Sequence, residues 1–208
     1  MLIEIVNFIS LISSLIFFAI FYSLSLIPVK RSEKYGDAAW KQCGIFRLIA
    51  SIFELISVIN IILWIFYPIQ SLDFKIFPEF WMSIALGIIL LIPFGFILFK
   101  AMIDAGKETM QPSKDTELYS GIYKYIRHPQ TLGEFPMWAI FGLMTNSWII
   151  FLIGLIFIII YTPIMIKIEE ADLIRRFGEK YIEYKKNAGC LFPKLQTLKN
   201  LRKSQKKK

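Results

Sequence analysis

The chain has 208 residues, 56% of them hydrophobic and 16% aromatic, and carries a formal net charge of +8. Soluble domains are less apolar and lack runs of about 20 apolar residues, so the composition predicts an integral membrane protein with little separate soluble structure. The basic residues come without aromatic nucleic-acid motifs, which indicates membrane lipid and not nucleic acid as a partner. Two cysteines, Cys43 and Cys190, provide no disulfide framework and no metal-ligand spacing, so no metal site is expected.

Five apolar segments are long enough, or nearly so, to predict membrane-spanning helices. They cover residues 5–29, 45–67, 81–99, 131–145 and 147–166. Residues 1–29 hold no basic residue, so the first segment is expected to be a retained helix and not a cleaved signal peptide. The fold class predicted is therefore an all-α integral membrane protein with about five transmembrane helices.

Two further features complete the predicted fold. The three residues 145–147 allow only a tight turn, so the last two helices are expected to form a hairpin. Residues 169–186 place Leu173, Phe177 and Tyr181 at helical spacing among charged residues, which predicts an amphipathic helix on the membrane surface. The segment 199–208 is read as a basic tail.

The distribution of basic residues predicts the orientation. Of 24 Lys and Arg residues, only Lys75 falls in the loop 68–80, and the rest lie in 30–47, in 100–130 and from residue 167 onward. The positive-inside rule then places the N-terminus outside or in the lumen and the C-terminus in the cytosol. The membrane would be the plasma membrane of a prokaryote or the endoplasmic reticulum of a eukaryote.

The most informative motif surrounds the only histidine, in the run Tyr-x-x-Arg127-His128-Pro129-x-x-x-Gly133. Pro129 suits the first position of a helix, where free N–H groups and the positive end of the dipole attract anions. Gly133 lacks a side chain and would permit close approach of a ligand or of another helix. The alternative is an ordinary snorkelling arginine with an interfacial histidine.

Carboxylates supply the complementary charge. Glu169 and Glu170 follow the last apolar segment and either cap the surface helix or bind ribose hydroxyls or a cationic group. A cationic cluster and a carboxylate pair on one membrane surface predict a site for a zwitterionic cofactor. Within the apolar segments, Glu54 and Asn60 are expected to make interhelical contacts, and Glu134 is expected to lie at the interface.

These motifs, followed by Phe177-Gly-Glu-Lys-Tyr181-Ile-Glu-Tyr184, resemble the isoprenylcysteine carboxyl methyltransferases, in a prokaryotic-type form. More broadly they resemble the membrane methyltransferases that include phospholipid N-methylating enzymes. The resemblance covers residues from about 105 to 193. It implies three parts: transmembrane helices in 1–100, a cofactor-binding methyltransferase region in 101–198 and the tail in 199–208.

The resemblance also implies a cofactor, S-adenosylmethionine, with S-adenosylhomocysteine as the product. The residues expected to contact it are Gln111, Thr116, Glu117, Leu118, Tyr123, His128, Pro129, Gly133 and Glu169. The catalytic group is expected to comprise Arg127, His128, Glu169 and Glu170. The polar loop 104–120 would be either a lid over the cofactor or a plain connector.

The acceptor is expected to be a lipophilic small molecule or lipidated substrate that enters from the membrane. Two departures from the prenylcysteine enzymes bear on it. Thr131 replaces a tyrosine of the family pattern, and Met165 replaces an arginine thought to meet the substrate carboxylate. Residues 148–166 hold no basic residue, and Lys167 is the nearest one. A buried carboxylate without a cationic partner is costly, so a neutral or amine-bearing acceptor is the alternative to prenylcysteine.

Two other functions remain open from the sequence alone. A sterol-type reductase would use NADPH and would need additional basic residues for the 2′-phosphate. A membrane scaffold or lipid-binding protein would tolerate replacement of Arg127, His128 and Glu169 apart from effects on stability.

Overall fold

The computed structural model describes residues 2–114 and 120–194, and within them the chain forms seven α-helices. These are α1 (Leu2–Ser25), α2 (Pro28–Tyr35), α3 (Ala38–Trp64), α4 (Phe80–Ala105), α5 (Pro129–Met144), α6 (Trp148–Phe177) and α7 (Glu179–Asn187). Short 3-10 helices occupy Gln70–Leu72, Gly106–Thr109 and Gly121–Lys124. The structure confirms the all-α membrane protein that the sequence predicts.

Four of these helices, α1, α3, α4 and α6, are long and apolar enough to cross a bilayer. Their outward faces carry exposed large apolar side chains, such as Ile92 and Phe96 on α4 at 67% and 71% exposure. The fourth predicted span corresponds to α5, whose 16 residues are fewer than the roughly 20 that a helix perpendicular to the bilayer needs. The total of five crossings therefore stays a prediction.

Interhelical hydrogen bonds join α1 to α3. The Asn7 amide donates to the Asn60 carbonyl over 3.1 Å, and the Asn60 amide donates to Ser10 Oγ over 3.0 Å. One turn further along, the hydroxyls of Ser14 and Ser57 are 2.7 Å apart. Small and polar residues of this kind hold membrane helices together because lipid offers them no alternative partner. The interhelical role predicted for Asn60 is confirmed.

The predicted hairpin between the last two spans is present. Asn146 adopts a left-handed conformation at the turn, with φ of 56°. Its Oδ1 accepts hydrogen bonds from the Phe77 N–H and from the Ser83 hydroxyl, which fixes the turn to the start of α4. Gly142 and Gly154 then let α5 and α6 meet backbone to backbone, since a Cβ on Gly154 would lie 2.6 Å from the Trp138 carbonyl oxygen.

The predicted surface helix over 169–186 is wrong in its boundaries. Helix α6 continues without interruption from the membrane to Phe177, and a left-handed Gly178 (φ 56°) separates it from α7. The apolar positions that suggested one surface helix belong to two separate helices. Within α6, the Asp172 carboxylate accepts the N–H groups of Val29 and Lys30 and caps α2.

We expect Gly154→Ala to destabilise the α5–α6 hairpin, because its new methyl group would overlap the α5 backbone. A cost of about 1–3 kcal/mol is typical of such overpacking. The measurement is the melting temperature of the protein in detergent. Gly95→Ala is the matched control, because its Cβ would lie 3.9 Å from Met137 Cε, an ordinary contact. Equal melting temperatures for the two variants would contradict the close contact.

Candidate active site

The Arg-His-Pro motif lies where three segments of the chain meet. Pro129 opens α5 and His128 precedes it as the N-cap residue, as the sequence predicts. The backbone N–H groups of Arg127 and His128 donate to the carbonyls of Gly189 and Cys190, at 2.8 and 3.1 Å. The start of α5 is thus fixed to the segment that follows α7.

A buried ion network connects this motif to α6. Arg127 Nε donates to Glu170 Oε1 over 2.8 Å, and each of the two side chains is 8% exposed. His128 lies between the carboxylates, with Nδ1 2.8 Å from Glu169 Oε2 and Nε2 3.2 Å from Glu170 Oε1. Lys185 Nζ on α7 also reaches Glu170. The four residues predicted as the catalytic group are therefore in direct contact.

The network holds His128 in its charged form. Burial by itself lowers the pKa of the imidazole, but the charges and hydrogen bonds of Glu169 and Glu170 outweigh it and raise the pKa to about 9. Both ring nitrogens lie near carboxylate oxygens, an arrangement in which imidazolium donates twice. Glu169 and Glu170 lie well inside α6, so the capping role considered from the sequence is wrong.

The same cluster does not have the character of a metal site, even though His128, Glu170 and Cys190 present ligand atoms within 4.8 Å of one another. Glu170 is already paired with two cations, Arg127 and Lys185. Burial raises the pKa of the Cys190 thiol, whereas a metal ligand must be a thiolate. The negative charge of Glu170 is thus already balanced by cationic side chains of the protein, without a metal ion.

A cavity that opens to solvent adjoins the network. We call it the cofactor cavity. Its walls come from α1, α3, the loop before α5, α5, α6 and α7. The lining residues include Tyr22, Arg47, Glu108, Tyr123, Arg127, His128, Pro129, Gln130, Thr131, Glu169, Arg176, Phe177, Tyr181 and Tyr184.

Two lining residues present hydrogen-bond donors that no protein group in the described part of the chain satisfies. These are Arg47 Nε and the Tyr181 hydroxyl, both buried. Burial raises the pKa of Tyr181, so the hydroxyl keeps its proton and remains a donor. Buried donors normally find a partner. Their position on the cavity wall indicates a ligand that brings acceptor oxygens.

Most of the charged side chains that line the cavity are paired with a side chain of opposite charge. Arg127 and His128 face the two glutamates described above, and Arg176 Nη1 pairs with Glu108 Oε1 at 3.0 Å. Arg47 Nη1 donates to the carbonyls of Glu108 and Thr109, which fixes this part of the loop to α3. The described part of loop 104–120 is thus held against α3 and α6 and forms a wall of the cavity.

The structure distributes the predicted cofactor residues unevenly. Tyr123, His128, Pro129 and Glu169 line the cavity. Gly133 instead packs on α4, where a Cβ would lie 2.5 Å from the Leu98 nitrogen, so it serves the helix contact and not the ligand. Of the other predicted cofactor contacts, Gln111 is exposed beside Gly44. Thr116, Glu117 and Leu118 lie outside the described residues.

Several lining residues escaped the sequence analysis. Tyr22 and Arg47 come from α1 and α3, outside the motif region, and no local pattern marks them. Arg176 and Tyr181 fall within the predicted surface helix, but Arg176 lines the cavity from the end of α6 and Tyr181 lines it from α7, after the break at Gly178. The glycine at that position was the available signal, since glycine often ends a helix.

The region that contains this site is similar to known methyltransferases. Residues 82–180, from α4 to the start of α7, match the family model described as phospholipid methyltransferase. The chain is 38% identical over 76 residues to the methanethiol S-methyltransferase of Pseudomonas deceptionensis, a stretch that is 36% of this chain and 28% of that protein. It is 35% identical over 88 residues to methanethiol S-methyltransferase 1 of Bradyrhizobium diazoefficiens, 42% of this chain and 29% of that protein.

The aligned stretch thus spans less than a third of the length of these two relatives. Residues 82–180, which match the family model, contain the Arg-His-Pro motif, both glutamates and most of the cavity wall. The resemblance to membrane methyltransferases that the motifs predict is confirmed over this region.

The charged His128 predicts how stability depends on pH. Its pKa in the folded protein, about 9, exceeds its ordinary value of 6.5. The ion pairs of His128 therefore stabilise the fold fully below about pH 6.5 and lose that effect as the pH rises through about 9. We expect the melting temperature to fall between pH 7.5 and 10, and the fall to be clearly smaller in His128→Gln. Parallel curves for the two proteins would contradict a charged His128.

Proposed function

We propose that this member of a membrane methyltransferase family transfers a methyl group from S-adenosylmethionine to the sulfur of a small lipophilic thiol. The observation that carries the proposal is the cofactor cavity within the family-matched region. It combines two buried donors that lack a partner among the described residues with carboxylates at one end of the apolar helices. The names of the relatives, which specify methanethiol, support sulfur as the accepting atom.

The residues present fit S-adenosylmethionine, a zwitterion with a carboxylate, an ammonium group and ribose hydroxyls. Arg47 Nε and the Tyr181 hydroxyl would donate to the carboxylate. Glu169, whose side chain is 31% exposed, would accept from the ammonium group or from the hydroxyls. When bound, the cofactor supplies an electrophilic methyl group on a sulfonium. The protein's contribution is to hold both reactants in line and to exclude water.

The electrostatics favour this cofactor over NADPH. The phosphates of NADPH would need several cations that the protein leaves uncompensated. In the described part of the cavity, Arg127, His128 and Arg176 each face a carboxylate. A ligand with no net excess of negative charge suits such a wall better than a polyanion.

The surroundings of α6 support a neutral acceptor over a prenylcysteine carboxylate. Met165 is completely buried in the core. Lys167, the nearest basic residue in sequence, is exposed and does not line either cavity near the site. A thiol brings no charge into the membrane, so it avoids the cost of burying an unpaired carboxylate.

The orientation proposed is a cytosolic cofactor cavity with the C-terminus on the same side. This rests on the charge distribution and on the position of Arg47, Arg127 and Arg176 at one end of the bundle. The opposite end carries the turns that contain Lys75 and Asn146.

We expect Tyr181→Phe to weaken binding of S-adenosylhomocysteine by about tenfold, because one donor to a charged group is lost. The melting temperature should stay the same or rise, since no protein hydrogen bond of that hydroxyl is broken. Calorimetry measures the binding. Tyr35→Phe, at an exposed tyrosine, is the control. Tight NADPH binding by the wild-type protein, without binding of S-adenosylhomocysteine, would favour a reductase.

Single-cysteine labelling tests the orientation. In a Cys190→Ser background, where the remaining Cys43 is buried, an impermeant maleimide should label Glu79→Cys in intact cells. Lys186→Cys should be labelled only after the membrane is opened. Both positions are exposed on the protein surface. The reverse pattern would invert the orientation.

A further inference from the structure

A second cavity adjoins the cofactor cavity. We call it the inner chamber. Tyr22, Arg47 and Gln130 line both spaces and so form their common wall. The remaining walls are mainly apolar and include Phe18 and Met102, from α1 and α4. A lipophilic molecule in the chamber would therefore lie beside the cofactor cavity, on its membrane side.

Two carboxylates line this apolar chamber. Glu134 follows Gln130 by four residues on α5, and Glu54 follows Arg47 by seven on α3. At these intervals the two residues of each pair lie on the same face of their helix. Along the helix axis, Glu134 lies about 6 Å from Gln130, and Glu54 lies about 10 Å from Arg47. Acidic side chains inside apolar helices are costly and usually mark a function. Both side chains therefore face a cavity between the helices, a placement that the sequence does not reveal.

Arg47 provides an independent indication that the spaces hold ligands. Its Nη1 is satisfied by two loop carbonyls, yet its buried Nε has no partner among the described residues. It stands at the common wall, between the cavity that suits a carboxylate-bearing cofactor and the chamber that contains carboxylates of its own. The charged groups that face the chamber are thus Glu54 and Arg47 from α3 and Glu134 from α5, with the phenol of Tyr22 from α1.

Resting on the proposed methyl transfer, we propose that the inner chamber binds the acceptor and that Glu134 accepts the proton of its thiol. The cysteine thiol has a pKa of about 8.5 and alkanethiols are less acidic, so such thiols are mostly protonated at neutral pH, whereas the thiolate is the nucleophile. A proton acceptor is therefore useful to a thiol methyltransferase. A carboxylate acceptor would arrive already ionised and would need no proton acceptor.

The proposed step balances as follows. The S–H bond breaks, its proton moves to the Glu134 carboxylate, and its electron pair remains on the acceptor sulfur. That sulfur forms a bond to the methyl carbon while the bond from the carbon to the sulfonium breaks, leaving its pair on the donor sulfur. The products are a neutral methyl thioether and the neutral thioether of the donor, and Glu134 returns its proton to water. Glu134 is four residues from Gln130, the common-wall residue of α5, whereas Glu54 is seven residues from Arg47, the common-wall residue of α3. Glu134 is therefore the nearer of the two glutamates to the common wall.

The test compares two thiols in wild-type protein and in Glu134→Gln. One is an alkanethiol, and the other is an aryl thiol acidic enough to be ionised at the assay pH. We expect Glu134→Gln to lower kcat for the alkanethiol by about 100-fold, a usual contribution of a general base, and for the aryl thiolate by less than about tenfold. Affinity for S-adenosylhomocysteine, measured by calorimetry, should change by less than about twofold. Glu79→Gln, at an exposed position on α4's N-cap, serves as the matched control.

Equal losses of kcat with both thiols, or no loss with the alkanethiol, would overturn the assignment of Glu134 provided that S-adenosylhomocysteine still binds. If Glu134→Gln does not fold, Glu134→Asp keeps a carboxylate at shorter reach and must still lose more with the alkanethiol than with the aryl thiolate. A wild-type protein that binds no S-adenosylhomocysteine and methylates neither thiol would contradict the proposed function itself. Methylation of an amine by the wild type in place of both thiols would reject the thiol as the acceptor.

Discussion

The ion network of Arg127, His128, Glu169 and Glu170 is the interaction on which the site depends. It joins the start of α5 to the C-terminal part of α6, and Arg127 also donates to the backbone carbonyl of Ala188 at 2.7 Å. Breaking one member of such a buried network leaves an uncompensated charge, which is far costlier than losing a surface ion pair. The segment after α7 is thereby held against α5, and α7 brings Tyr181 to the cofactor cavity.

The network can form only because the helices below it approach closely. Gly142 and Gly154 bring α5 and α6 together, and Gly133 does the same for α5 and α4. The aromatic ring of Phe18 then fills the centre of the bundle, 5.6 Å from the ring of Trp138 and 6.1 Å from that of Tyr161. Backbone contact at the hairpin and a fixed turn at Asn146 set the register that places Glu169 and Glu170 opposite the Arg-His motif.

The sequence predicted the features that local chemistry determines. Apolar length gave the spans, Pro129 marked the start of α5, and the short turn required the hairpin. Opposite charges at one membrane surface predicted a shared site for Arg127, His128 and the glutamates, but not that His128 would contact both carboxylates directly. The misassigned surface helix shows the limit of periodicity, because a pattern of apolar positions does not reveal that a helix continues across the interface. Arg47, Tyr22 and the role of Glu54 depend on how distant helices pack, and no local pattern in one sequence records that.

The two cavities differ in the origin of their walls, and this difference has a consequence for specificity. The cofactor cavity takes its network and most of its lining from the region that matches the methyltransferase family. The inner chamber takes Glu54, Arg47 and Phe18 from α1 and α3, which lie before that region. Relatives can therefore share a donor site while their first helices present different side chains to the acceptor. Arg47 stands on the common wall, so under the proposed function a change in α3 that alters acceptor binding should also alter cofactor binding.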